Sequence, residues 1–145
     1  MQYTYSSTDK DRFSLHDCYA MSVELANDRL VFRLPDGIFC MDYSDEWPNT
    51  GKAEIEFVLE SADSATLHTF VEAEGKTFRN EYTVTQMMEK INSGEWELEF
   101  AYRYDGYQEV LYRCWIWENP GRAAYEGELW IRTKEDMIFR WDSPV

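Results

Sequence analysis

The chain has 145 residues, with 28 Asp and Glu against 14 Lys and Arg, a formal charge of −14. Such a charge repels phosphate backbones and anionic lipid surfaces, so nucleic acid and membrane are not expected partners, whereas a cationic partner is steered inward. Hydrophobic residues at 44% and aromatics at 17% exclude a disordered chain and predict an aromatic core inside one domain spanning 1–145.

Residues 1–12 are polar and charged and read as a loosely held lead-in. From Phe13 to Leu25, β-forming residues recur at every second position apart from Asp17, and Ala26-Asn27-Asp28 offers a turn. Leu30, Phe32 and Leu34 continue the alternation. Pro35-Asp36-Gly37 turns the chain again, since proline presets φ and glycine accepts a positive φ, and Ile38 to Tyr43 is expected to close a hairpin. Ser44 to Gly51 is the longest loop-like run and sets Trp47 among the acids Asp45 and Glu46. Loops of this kind often carry function.

Ala53, Ile55, Phe57 and Leu59 share one parity while Glu54, Glu56 and Glu60 share the other, which predicts a strand with an apolar and an acidic side. A turn at Ser61 to Ser64 leads to a strand through Leu67, Thr69, Val71 and Ala73 that ends near Glu74-Gly75-Lys76. Thr83, with Gln86 three residues on, forms a capping-box signature for a helix over about 84–92 that Ser93-Gly94 stops. Nine residues are too few to hold a helix in water, so it packs on the sheet or plugs one end.

Glu95 to Tyr102 alternates acid and apolar, which predicts Trp96, Leu98, Phe100 and Tyr102 facing a core and Glu95, Glu97 and Glu99 facing water. Asp105-Gly106 between two long runs is a hairpin signal. In the next strand Val110, Tyr112, Cys114 and Ile116 oppose Leu111, Arg113, Trp115 and Trp117, so that strand is expected to be central and covered on both sides. Asn119-Pro120-Gly121 turns, and strands follow around Gly127 and through Met137, Phe139 and Trp141. The sum is a mainly β fold: an antiparallel meander of about nine strands, curled into a barrel-like or sandwich-like sheet, with one short helix.

Catalytic signatures are absent from this pattern. His16 and His68 are the two histidines, too few for a zinc or HD-type metal centre. Cys18, Cys40 and Cys114 lie in strand-like segments without a nucleophile turn, which fits free buried thiols in a reducing compartment. The seven glycines are scattered singly at turn-like or bulge-like places, so no phosphate loop exists. No cofactor and no metal are therefore expected. Paired carboxylates beside tryptophans are the makings of a carbohydrate-binding domain or glycosidase, which needs an aromatic, carboxylate-lined cavity. Trp96, Trp115, Trp117, Trp130 and Trp141 all sit in alternating strands and are read as mostly core.

The start of the chain lacks a basic segment followed by an apolar run, and no window nears the ~20 apolar residues that cross a bilayer, so a cytoplasmic location is expected. In small size, acidity and β-rich alternation the chain resembles the cytoplasmic immunity proteins of bacterial polymorphic toxin systems. The resemblance covers the general character of the whole chain and carries over no site residue. It implies a non-enzymatic acidic protein that docks a basic protein partner and occludes it. The residues expected to do so are Asp42, Tyr43, Asp45, Glu46 and Trp47 in the loop and the carboxylates Glu95, Glu97 and Glu99.

Overall fold

The computed structural model describes residues 2–42 and 49–142. Thirteen strands and one α-helix lie along them. β1 (Tyr5–Ser7) and a 3-10 turn (Lys10–Arg12) lead into β2 (Phe13–Ser14), β3 (Cys18–Ala20) and β4 (Ser22–Ala26). β5 (Arg29–Leu34), β6 (Phe39–Cys40), β7 (Ala53–Val58), β8 (Ala65–Ala73) and β9 (Lys76–Thr83) precede α1 (Val84–Asn92). β10 (Trp96–Gly106), β11 (Glu109–Glu118), β12 (Ala123–Arg132) and β13 (Ile138–Trp141) complete the chain.

The expected mainly β, antiparallel architecture is present, and it is a sandwich whose sheets do not close into a barrel. One sheet has the order β1-β13-β7-β5-β4, the other β3-β10-β11-β12-β8-β9, and a small β2-β6 ladder stands beside them. Rings from the two sheets meet edge to face in the core, Phe32 against Phe100 at 5.6 Å and Phe57 against Tyr112 at 6.2 Å. Both sheets and α1 contribute to a single buried cluster.

The helix follows its local code. Thr83 Oγ1 accepts from the Gln86 amide at 3.2 Å while Gln86 Oε1 accepts from the Thr83 amide at 2.9 Å, and Gly94 takes φ +83 after the last turn. Val84, Met87 and Ile91 are buried, each contributing roughly 1.5 to 3 kcal/mol by burial. From the last residue of the helix, Asn92 reaches to β4: its Oδ1 accepts from Val23 N and its Nδ2 donates to Val23 O, both at 2.8 Å.

Several expectations are corrected. The lead-in at 1–12 contains β1, which pairs with β13, and a turn whose Lys10 carbonyl accepts from Arg103 at 2.8 Å. The run Phe13 to Leu25 is three strands: Asp17 at φ +64 parts β2 from β3, and Met21 separates β3 from β4, which lies in the other sheet. The segment after Gly37 forms no hairpin with β5. β6 pairs with β2, and Ile38 exchanges bonds with Thr50. The β10–β11 turn is Tyr107-Gln108, two residues past Asp-Gly, with Gln108 at φ +52 and Gly106 still paired to Glu109. β9 has no counterpart in the sequence reading, and it accounts for part of the excess over nine strands.

The most consequential correction is a bulge. The β10–β11 register shifts between Phe100 and Tyr102, so Ala101 is unpaired and the inward parity changes hands. Trp96, Leu98 and Phe100 are buried as expected, but Tyr102 is 58% exposed. The bulge is held from β3's side, where the Phe100 carbonyl accepts from the Asp17 amide at 2.9 Å and the Ala101 carbonyl from His16 Nδ1 at 2.8 Å.

Candidate functional site

The outward parity of β10, β11, β12, β8 and β9 builds one face, and the registers place its residues in rows. One row reads Tyr19, Glu99, Trp115, Glu126, Phe70 and Arg79 across six strands. The next reads Tyr102, Arg113, Glu128, His68 and Glu81, and the third Tyr104, Leu111, Trp130, Thr66 and Thr83. Glu97 and Trp117 lie opposite each other one step beyond the first row. Cross-strand neighbours of this kind stand about 4.5 to 5.5 Å apart at Cβ, so Trp115 is framed by Glu99 and Glu126.

This face overturns two expectations. β11 is central in its sheet but open on one side, where Trp115 is 38% and, on the neighbouring strand, Trp130 is 39% exposed. Of the five tryptophans read as mostly core, Trp96 and Trp141 are buried, while Trp115 and Trp130 are exposed and Trp117 is half-buried. A signal for this was present: Arg113 shares the parity of Leu111, Trp115 and Trp117, and a guanidinium in mid-strand marks a wet side. The same parity logic joins Glu126, Glu128 and Trp130 on β12.

Polar contacts hold the face in shape. Trp117 Nε1 donates to Glu99 Oε1 at 2.8 Å, Asn119 Nδ2 donates to Glu97 at 3.2 Å, and Arg122 pairs with Glu97 while its guanidinium sits 4.9 Å from the centre of the Trp117 ring. Arg113 approaches Glu126 at 3.7 Å. His68 Nε2 lies 3.6 Å from Glu81 Oε1. Burial, together with the neighbouring Glu99 carboxylate, pushes the Tyr19 phenol above its ordinary value.

The expected partner-binding residues are distributed as follows. Glu97 and Glu99 lie together on this face. Glu95 is at the α1–β10 junction, paired with Lys90 at 2.5 Å. Asp42 lies past the end of β6, apart from this face, and pairs with Arg12 at 2.7 Å, a hydrogen bond that holds its carboxyl below the ordinary aspartate value. Tyr43, Asp45, Glu46 and Trp47 lie outside the described residues.

Of the other acidic row, Glu60 is exposed while the two acids within β7 are buried. Glu54 and Glu56 are 7% exposed on β7. Arg140 reaches Glu54 at 2.9 Å and Glu56 at 3.2 Å, Arg29 reaches Glu56 at 2.5 Å, and Arg33 lies 3.8 Å from Glu54. Arginines from the flanking β5 and β13 thus neutralise the repulsion expected along that row.

Two clefts open on the surface. One of about 780 Å³ at the β10–β11 tip is lined by carboxylates such as Asp9, Asp105, Glu109 and Asp136, with Lys10 and Lys134, but no tryptophan. The other, about 370 Å³, is lined by His16, Tyr102, Arg103 and Tyr112 without a carboxylate. Neither unites two carboxylates with a tryptophan face. Burial pushes the Cys18 thiol up to about 12 and raises Cys114 further, so neither thiol is ionised near neutrality.

Among the described residues no group of three or more His, Cys, Asp and Glu is placed to hold a metal ion, and no helix is long and apolar enough to cross a membrane. Comparison with known proteins returns no match, whether to family models, to curated proteins or to solved structures.

Proposed function

We propose that this chain is a non-enzymatic acidic binding protein that docks a basic protein partner on the open face of its six-stranded sheet. The observation that carries this reading is Trp115, exposed between Glu99 and Glu126. Aromatic anchors ringed by charge are the usual hot spots of protein interfaces, because the ring supplies area at little entropic cost and the charges fix register. Leu111, Trp130 and Tyr104 extend the apolar strip, while Glu81, Glu97 and Glu128 extend the negative one. The charge of −14 steers a cationic surface toward it. Occlusion of a cationic toxin, as by an immunity protein, is the form of docking this surface suits.

The test is retention from the lysate of the native host on immobilised protein at low salt, with elution at high salt and identification of what elutes. A protein with pI above about 9, held by the wild type and lost by Trp115→Ala and by Glu99→Gln with Glu126→Gln, supports the reading. Retention of neutral or acidic proteins only, or of basic ones equally by the variants, overturns it.

A further inference from the structure

The sandwich has four strand edges, and three are closed or short. β1 and β3 offer three residues each. On β4 the Asn92 side chain occupies both the amide and the carbonyl of Val23. The fourth, β9, is eight residues long and exposed apart from half-buried Tyr82; among the described residues it is flanked by β8 on one side only, and the Thr83 amide at its end is taken by Gln86. A long open edge presents unpaired backbone groups ready to accept another strand.

Its sequence says which strand. Thr77-Phe78-Arg79-Asn80-Glu81-Tyr82-Thr83 is self-complementary about Asn80, with hydroxyl against hydroxyl, ring against ring and Arg79 against Glu81. Moreover, of the 14 Lys and Arg, Lys76, Arg79 and Lys134 alone lack an ion pair among the described residues, and two of these three are on β9. An arginine left over where acids outnumber bases two to one is an unmet half of a pair.

We propose that a second copy of this chain pairs with β9 antiparallel and in register about Asn80, so that Arg79 of each copy faces the partner's Glu81. The same register sets Phe78 against the partner's Tyr82 and brings Thr77 alongside the partner's Thr83, where the ladder ends because the Thr83 amide is held by Gln86. Arg79 and Glu81 share the outer face with Thr77 and Thr83, while Phe78 and Tyr82 share the inner one, as their pairing with Val71 and Leu67 requires. Antiparallel pairing of identical strands joins residues of like parity only, because outward-pointing amides must meet outward-pointing amides. Centring on Arg79 or on Glu81 instead would set like charges face to face, which disfavours those registers. A two-fold axis through the Asn80 pair makes the contact isologous and self-limiting. The two six-stranded sheets then run on as one, with both Trp115 faces on the same side. This association shares Glu81 with the proposed docking face and does not require a basic partner to be bound.

The experiment is the mass in solution by light scattering and the dissociation constant by sedimentation, at ~0.15 M salt. The wild type is expected at twice 17.3 kDa. Arg79→Glu and Glu81→Arg each place like charges opposite one another twice over, and each is expected to weaken the dimer by about tenfold or more. The double variant R79E/E81R restores opposite charges and is expected to return within about threefold of the wild type, which separates a broken interface from a broken fold. A wild type that stays monomeric, a dimer indifferent to both single substitutions, or a folded double variant that fails to recover overturns the proposal.

Discussion

Trp117 donates its indole N–H to Glu99 at 2.8 Å across the β10–β11 pair, while Arg122 covers the Trp117 ring and pairs with Glu97. The bond holds the Glu99 carboxylate beside Trp115, its cross-strand neighbour. Trp117→Phe keeps the ring and removes the donor, and is expected to lower unfolding free energy by about 1 kcal/mol in urea denaturation. Glu99→Gln retains an acceptor and is expected to cost less, while weakening association with any cationic partner.

Arg140 is the bridge between the buried acids Glu54 and Glu56. Arg140→Met leaves both short of a counter-charge and is expected to cost about 3 kcal/mol, the lower end for a broken buried pair because the Arg140 side chain is itself 29% exposed. Arg29, which is 48% exposed and reaches Glu56 alone among these acids, is expected to cost less when replaced by Met. Denaturant midpoints of the two variants rank them. Equal losses, or losses near zero, would count against the bridge.

All three cysteines are free and buried. A thiol-reactive disulfide reagent at pH 8 is expected to label none of them in the native protein within minutes and all three in denaturant, since access requires opening of the core. Rapid labelling of Cys18 in the native state would contradict its burial between the Ser14 and His16 carbonyls.

Alkaline pH is expected to destabilise the fold. Cys18, Cys114 and Tyr112 all hold their protons more tightly when folded, because burial penalises the charged form. Below the ordinary thiol value of 9.0 their contribution is complete. As pH rises past 9.0 for the thiols and 10.0 for the phenol, the unfolded chain releases protons that the folded chain keeps, so stability falls; the Cys18 share of the fall ends at about 12, where that thiol ionises in place, and the shares of Cys114 and Tyr112 continue beyond it. The urea midpoint is expected to stay level from pH 7 to about 8.5 and then decline. Cys114→Ala is expected to make the decline shallower.

Gly127 sits in the middle of β12 rather than at a turn or bulge, opposite Cys114. A Cβ there would stand 2.9 Å from Cys114 Sγ and 3.3 Å from the His68 carbonyl oxygen. Gly127→Ala is expected to cost about 2 kcal/mol. Combined with Cys114→Ala, which removes the nearer obstacle, the total is expected to fall short of the sum of the two single losses by about 0.5 kcal/mol or more. Strict additivity in a thermodynamic cycle would show that the sulfur is not the obstacle.

Local signals were the legible ones. The helix at Val84–Asn92 was readable to the residue because Thr83, Gln86 and Gly94 act within one turn of it. The core parity of Trp96, Leu98 and Phe100 was readable for the same reason, and it failed at Tyr102 because the bulge at Ala101 is imposed by His16 and Asp17, far away in sequence. Glu54 and Glu56 gave the right alternation and the wrong environment, since the arginines that bury them come from β5 and β13. β9 was invisible because an edge strand with both sides wet has no apolar alternation to read. Of the site, the sequence points to Glu97 and Glu99, while the alternation around Trp115 and Trp130 reads as core. Alternation tells which residues share a side, whereas which side is covered depends on the second sheet.

Asn92 spends its whole amide on the backbone of Val23, and the reach of that one side chain is a matter of stoichiometry. A sandwich with two adhesive rims would add copy after copy and grow into a fibre. With β4 closed at Val23, β1 and β3 three residues long and β9 matched to itself in the proposed dimer, growth is expected to end after the first addition.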